Sequence, residues 1–216
     1  MSAGGLGLVA GSGLTGLEPP RGGWQLLRRH GAEYELPHRI DHVANMRSLR
    51  DAGCDRVLAI GSVGGLRVEL GPGTLVCPDD FIALDAAPLT ALAGAAAHRV
   101  PGFDRSWRRQ VVDALDAVGL EARDGGVYWQ TRGPRLETPA EVRTVAPHAE
   151  VIGMTVASEC VAAGELGLSY AALCQVDNLA NGIGEQELTL DQIAANRDRN
   201  RGALLAMLER ILPLLA

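Results

Sequence analysis

Residues 151–176 read VIGMTVASECVAAGELGLSYAALCQV, and this stretch decides the fold class. A short apolar run, Val151–Met154, leads into a helical pattern over Ser158–Leu166 and then a second apolar run, Tyr170–Val176. Apolar runs this short, bounded by glycine or charge, suit strands buried on both faces. A strand, a helix and a second strand joined by short connections make the repeating unit of α/β proteins. Working outward, the same alternation recurs. Leu6–Ala10, Val57–Ile60, Thr74–Cys77 and Val127–Gln130 are predicted strands. His38–Ala52, Ser106–Val118, Pro139–Val145 and Leu190–Leu214 are predicted helices. Together they predict a three-layer α/β fold without a composition break that would mark a second domain.

Two helix starts are written into the chain. Thr138-Pro139-Ala140-Glu141 sets a capping threonine before a proline at the first helical position, with a glutamate at the third. Thr189-Leu190-Asp191-Gln192 repeats that logic. The last helix carries Ile193, Leu204, Leu205, Leu208, Ile211 and Leu212 on an apolar face and is expected to lie along the sheet. Asp85–Phe103, rich in Ala and Pro, is the least patterned segment and reads as a surface excursion or a subunit contact.

The composition narrows the chemistry. Of 216 residues, 47% are hydrophobic and the formal net charge is −6; the 20 residues counted as Lys+Arg are all arginine. Without lysine there is no Schiff base and no lysine-based phosphate loop, so a bound anion must rely on arginine, histidine, hydroxyls or backbone N–H groups. An acidic balance with only 4% aromatics argues against a general nucleic-acid binder. No apolar run is long enough to span a bilayer, and the start lacks the basic residues of a secretory signal, which predicts a cytoplasmic protein. Cys54, Cys77, Cys160 and Cys174 stand singly, in neither zinc-site nor disulfide spacing, and read as buried thiols.

Gly11-Ser12-Gly13-Leu14-Thr15-Gly16 matches the dinucleotide fingerprint after a strand, but Pro19 and Pro20 leave no room for the helix that the fingerprint requires. What remains is a glycine loop whose N–H groups and Ser12 hydroxyl suit a small anion. Arg28-Arg29-His30-Gly31 ends the apolar run Trp24–Leu27 and reads either as a solvated edge or as a phosphate-binding cation pair. His38 and His42 have helical spacing but no third ligand, so no metal is expected. Ile60-Gly61-Ser62-Val63-Gly64-Gly65-Leu66 reads, by itself, as a turn.

Taken in order, Arg29-His30-Gly31, Ile40-Asp41-His42-Val43-Ala44-Asn45, the glycines at 61–65, Gly133-Pro134-Arg135-Leu136-Glu137-Thr138, Gly153-Met154-Thr155 with Ser158-Glu159, and Val176-Asp177-Asn178-Leu179-Ala180-Asn181-Gly182 resemble a known family. It is the trimeric purine nucleoside phosphorylase and methylthioadenosine phosphorylase family, and the motif at Gly133–Thr138 is most similar to methylthioinosine phosphorylases. The resemblance implies one nucleoside phosphorylase-like α/β/α domain over residues 1–216 around a central mixed sheet. It also implies a homotrimer and phosphorolysis of a purine nucleoside to free base and pentose 1-phosphate, with inorganic phosphate as co-substrate and no cofactor. Implied phosphate ligands are Ser12, Arg29, His30, Ser62 and Thr155. The nucleoside would meet Gly64, Leu136, Glu137, Met154, Glu159, Asn178 and Ala180, with His98 reaching in from a neighbouring subunit. Asn178, Glu137 and His30 would carry the chemistry. Asn178 and Glu137 match 6-oxopurine members; the alternatives are a methylthioadenosine phosphorylase and a catalytically lapsed purine-binding homologue. The chain departs from the family in a shorter connection before Arg29, in Leu136 where an aromatic stacks on the base, and in Asp177 where threonine is usual.

Overall fold

The computed structural model describes residues 5–14, 17, 24–185 and 188–216. Thr15, Gly16 and the proline pair at 19–20 lie outside these described residues, as do positions 186–187.

The strands are β1 (Gly5–Ala10), β2 (Trp24–Arg28), β3 (Cys54–Gly65), β4 (Leu75–Cys77), β5 (Asp80–Ile82), β6 (Arg123–Asp124), β7 (Val127–Gln130), β8 (Val151–Gly153) and β9 (Ser169–Leu179). They form one sheet ordered β5-β7-β8-β3-β9-β4-β6, with β1 beside the first half of β3 and β2 beside β1. The sheet is mixed: β3 runs parallel to β1 and β9 but antiparallel to β8, and β4 runs antiparallel to β9. The helices are α1 (His42–Asp51), α2 (Arg105–Ala117), α3 (Pro139–Val145), α4 (Val156–Glu165) and α5 (Leu190–Leu215).

Strand alternation sorts the core into two faces. Val57, Ala59 and Val63 of β3 join Tyr170, Ala172, Cys174 and Val176 of β9 beneath Met46 and Leu49 of α1 and Val156 and Cys160 of α4. Their neighbours Leu58, Ile60, Ala171 and Leu173 pack the other way, against Trp107, Val111 and Leu115 of α2 and Leu204, Leu208 and Ile211 of α5. This is the expected three-layer α/β/α arrangement with a central mixed sheet. Burying one of these side chains contributes about 1.5–3 kcal/mol, and a smaller third cluster packs Val142 and Val145 of α3 against Ile152 of β8.

Several boundaries move, each for a local reason. The helix predicted from His38 begins at His42, because Pro37–Arg39 forms a 3-10 turn and the Asp41 carboxylate accepts from Ala44 N–H at 2.8 Å as the N-cap. Both threonine capping boxes form as written, at Thr138 with Glu141 and at Thr189 with Gln192. β3 runs on through Gly61, Gly64 and Gly65, read from sequence as a turn. A Cβ at Gly65 would collide with the Leu70 carbonyl oxygen, so glycine there marks close backbone approach inside a strand. Asp85–Phe103 is a largely exposed connection between β5 and α2, with Val100 98% exposed. All four cysteines are buried, and burial raises the Cys77 thiol to about 11.

Candidate active site

β1, β2, β3 and β9 end near one another, and the loops that leave them enclose a cavity of about 570 Å³. Crevices at the carboxyl ends of parallel strands are the usual ligand position in α/β sheets, because successive loops diverge there. Ser12 reaches the cavity from the 3-10 turn after β1, Arg29 and His30 from the end of β2, and Ser62 and Gly64 from β3. Leu136 and Glu137 come from the loop before α3, Met154 and Thr155 from the start of α4, and Asn178 and Ala180 from the end of β9. Residues drawn from the whole length of the chain therefore meet in one place.

Arg29 is the structural centre of the floor, only 3% exposed. Its Nε donates to Glu159 Oε1 at 2.6 Å, its Nη2 to Glu159 Oε2 at 2.8 Å and its Nη1 to the Ile60 carbonyl at 2.8 Å. Three of the five guanidinium hydrogens are thereby committed. Tyr170 donates its hydroxyl to Glu159 Oε2 at 2.7 Å, completing a sealed cluster. Burial by itself pushes Glu159 up, but the charge and hydrogen bonds of Arg29 prevail and hold the carboxyl below the ordinary glutamate range. Gly11 makes room for this: a Cβ there would lie 2.5 Å from Arg29 Nη1 and 2.6 Å from the Ile60 oxygen. The first glycine of the loop thus serves Arg29 rather than a dinucleotide.

His30 packs face to face on Tyr34, with ring centroids 4.5 Å apart, and its Nδ1 lies 2.8 Å from the Glu35 carbonyl oxygen. A carbonyl only accepts, so Nδ1 carries the hydrogen and Nε2 is the nitrogen left to change state. Burial lowers the imidazole from its ordinary value, aided by nearby Arg29. Thr155 stands at the N-cap of α4 without its side chain capping the helix; the Tyr128 hydroxyl instead accepts from Thr155 N–H at 3.2 Å and Val156 N–H at 3.4 Å.

Toward the base-reading residues, Thr131 Oγ1 donates to Glu137 Oε1 at 2.6 Å, leaving Oε2 to accept from a ligand. Asn178 donates from Nδ2 to the Leu179 carbonyl at 2.8 Å, which fixes the plane of its amide. The pairing of β3 with β9 slips here: Val63 faces Val176 and Gly64 faces Asn178, so Asp177 is an extra residue in a bulge. Bulges re-aim side chains at sheet ends; here Asn178 lines the cavity while Asp177 is buried against Ser62.

One predicted contact needs correction. Glu159 is fully buried and does not line the cavity; its carboxylate is occupied by Arg29 and Tyr170, so it supports the floor rather than touching a sugar. His98 is exposed at the end of the Gly94–Ala97 turn and reaches no wall of this chain's own cavity. Conversely, the start of α5 supplies Leu190, Ile193 and Arg197 to the cavity, where Ile193 was expected along the sheet. Their spacing of three and then four residues is one helical face, a signal visible in the sequence. Among the described residues no cluster of His, Cys, Asp and Glu could hold a metal ion, and no helix is long and apolar enough to cross a membrane.

The fold is α/β/α, and the cavity at its strand ends gathers a buried arginine, hydroxyls, a histidine and an amide among apolar side chains. The family model described as the phosphorylase superfamily matches residues 22–213. A probable 6-oxopurine nucleoside phosphorylase of Archaeoglobus fulgidus is 39% identical over 186 residues, covering 85% of this chain and 76% of that protein. A probable S-methyl-5′-thioinosine phosphorylase of Xanthomonas campestris pv. campestris is 36% identical over 181 residues, covering 80% and 72%. The methylthioadenosine phosphorylase of Schistosoma mansoni, solved with adenine, superposes with a TM-score of 0.83 at 20% identity, over 99% of this chain and 92% of that one, a likeness of fold. The chain belongs to the phosphorylase superfamily.

Proposed function

We propose that the chain is a purine nucleoside phosphorylase for 6-oxopurine nucleosides, with 5′-methylthioinosine among its substrates. One observation carries this reading: a single cavity is lined both by Ser12, Arg29, His30, Ser62 and Thr155, the residues expected to hold phosphate, and by an amide–carboxylate pair, Asn178 and Glu137. Inorganic phosphate, held by the first set, attacks the anomeric carbon as the purine departs. Positive charge developing on the sugar is offset by the phosphate, and negative charge on the base by a hydrogen bond from Asn178 at O6 or N7. Glu137 accepts from N1–H of a 6-oxopurine. Adenine presents a lone pair at N1 instead, and a buried polar group left unpaired costs about 1–3 kcal/mol. Leu136, Met154 and Ala180 line the apolar walls around sugar and base.

The same proposal takes residues 1–216 as one catalytic domain of a cytoplasmic homotrimer, with His98 serving a neighbouring site. Sedimentation of the purified protein tests the trimer. Incubation with inosine, methylthioinosine and methylthioadenosine, each with and without phosphate, tests the activity. The expected result is phosphate-dependent release of hypoxanthine from the first two and little adenine from the third. Cleavage without phosphate overturns phosphorolysis, and preferential release of adenine overturns the role of Glu137.

A further inference from the structure

Ser62, expected to bind phosphate, has its hydroxyl occupied. Ser62 Oγ is hydrogen-bonded to Asp177 Oδ2, and Asn200 Nδ2 of α5 donates to Asp177 Oδ1 at 3.3 Å. Asp177 is 2% exposed and is the extra residue of the β9 bulge. A serine hydroxyl has one hydrogen. While Asp177 is a carboxylate, that hydrogen is spent on Oδ2 and Ser62 turns only lone pairs to an incoming dianion, with a second negative charge one atom group behind. Phosphate and an ionised Asp177 are thus mismatched in both hydrogen bonding and charge.

We propose that Asp177 is a positioning residue for the phosphate. Binding of the dianion brings one proton from solvent onto Asp177 Oδ2, which then donates to Ser62 Oγ, and Ser62 turns its own hydrogen to the phosphate. The proposal rests on the reading of the cavity as a phosphate site. The surroundings agree. Burial raises the Asp177 carboxyl above its ordinary value, with hydrogen bonds from Ser62 and Asn200 and the charge of Arg197 acting in the opposite direction. The groups facing it are therefore Ser62 from β3, and Asn200 and Arg197 from α5. Arg197 also lines the cavity, whereas Arg29 is already neutralised by Glu159. The charges acting on His30 are those of Arg29, Glu159 and Glu35.

The test is calorimetric titration of the full-length protein with inorganic phosphate, in buffers of different ionisation enthalpy, across pH 5–8. Wild type is compared with Asp177→Asn, whose amide donates to Ser62 at every pH. Titration of phosphate itself and of His30 is common to both proteins and cancels. The proposal expects greater proton uptake in wild type and a phosphate affinity that falls with rising pH relative to Asp177→Asn, by up to about tenfold per pH unit for a single linked proton. In a Ser62→Ala background the Asp177→Asn change should alter that slope less, since only the charge mismatch remains. Should Asp177→Asn fail to fold, Asp177→Thr, also unable to titrate, gives the same comparison. Equal proton uptake and equal slopes with phosphate still bound overturn the role of Asp177 and leave the phosphorylase reading intact. Absence of phosphate binding in wild type overturns that reading, and this inference with it.

Discussion

Two acids flank the same cavity and are treated in opposite ways. Glu159, beneath the floor, is matched by a bidentate arginine and a tyrosine hydroxyl, and it stays ionised although wholly buried. Asp177, at the sheet bulge, has a serine, an asparagine and only the field of Arg197, and burial raises it. The first arrangement is a rigid support whose charge is fixed; the second can change its protonation when a ligand arrives. The contrast separates what holds the site together from what responds to its occupant.

The largest expected effect comes from breaking the support. Arg29→Ala strands the Glu159 carboxylate in the core and should destabilise the protein by about 3–5 kcal/mol in chemical denaturation, with activity lost as well. Replacing both partners by apolar residues, Arg29→Met with Glu159→Leu, should recover much of that stability but not the activity, since phosphate still lacks the Arg29 N–H donors. A double variant as unstable as Arg29→Ala would show that the pair is not the cause.

Next in size is Asn178→Ala. Loss of the hydrogen bond to the departing base should lower kcat on inosine by about a hundredfold, while the KM for phosphate changes little; equal losses in both would remove Asn178 from base recognition. Glu137→Gln should shift the ratio of kcat/KM between 6-oxopurine and 6-aminopurine nucleosides by about tenfold toward the amino form, because an amide can donate to adenine N1. An unchanged ratio would mean that another residue reads N1.

The last prediction, whose smallest effect is at Asp177, sharpens the comparison of the acids. Because Glu159 is lowered on folding, its contribution to stability is present at neutral pH and is lost as pH falls through its folded value. Asp177, raised on folding, contributes stability only at low pH and loses it as pH rises through its folded value. At neutral pH, therefore, Glu159→Gln should lower Tm and Asp177→Asn should raise it slightly. Shifts of the same sign would contradict the distinction.

The sequence carried the layers and most of the cavity because both are local. Alternating apolar runs specify strands and helices, and the motifs at Arg29-His30, Glu137, Thr155 and Asn178 sit at or beside strand or helix ends, where loops converge. The pairs beneath them were not legible. Arg29 and Glu159 are 130 positions apart, and Ser62 and Asp177 are 115 apart. Nothing in local periodicity links them, so Glu159 was expected at the sugar. The bulge at Asp177 is equally silent, since it depends on a register slip between two strands rather than on either alone. The face of α5 that supplies Ile193 and Arg197 was visible as helical spacing, but its direction was set by where the helix docks.

The central claim is that this cavity joins phosphate to a sugar as a purine departs. It is tested most directly by ³¹P NMR of the protein with inosine and inorganic phosphate. The account predicts a new phosphate monoester resonance that grows in step with free hypoxanthine. Hypoxanthine formed with free pentose and no phosphate ester would contradict it.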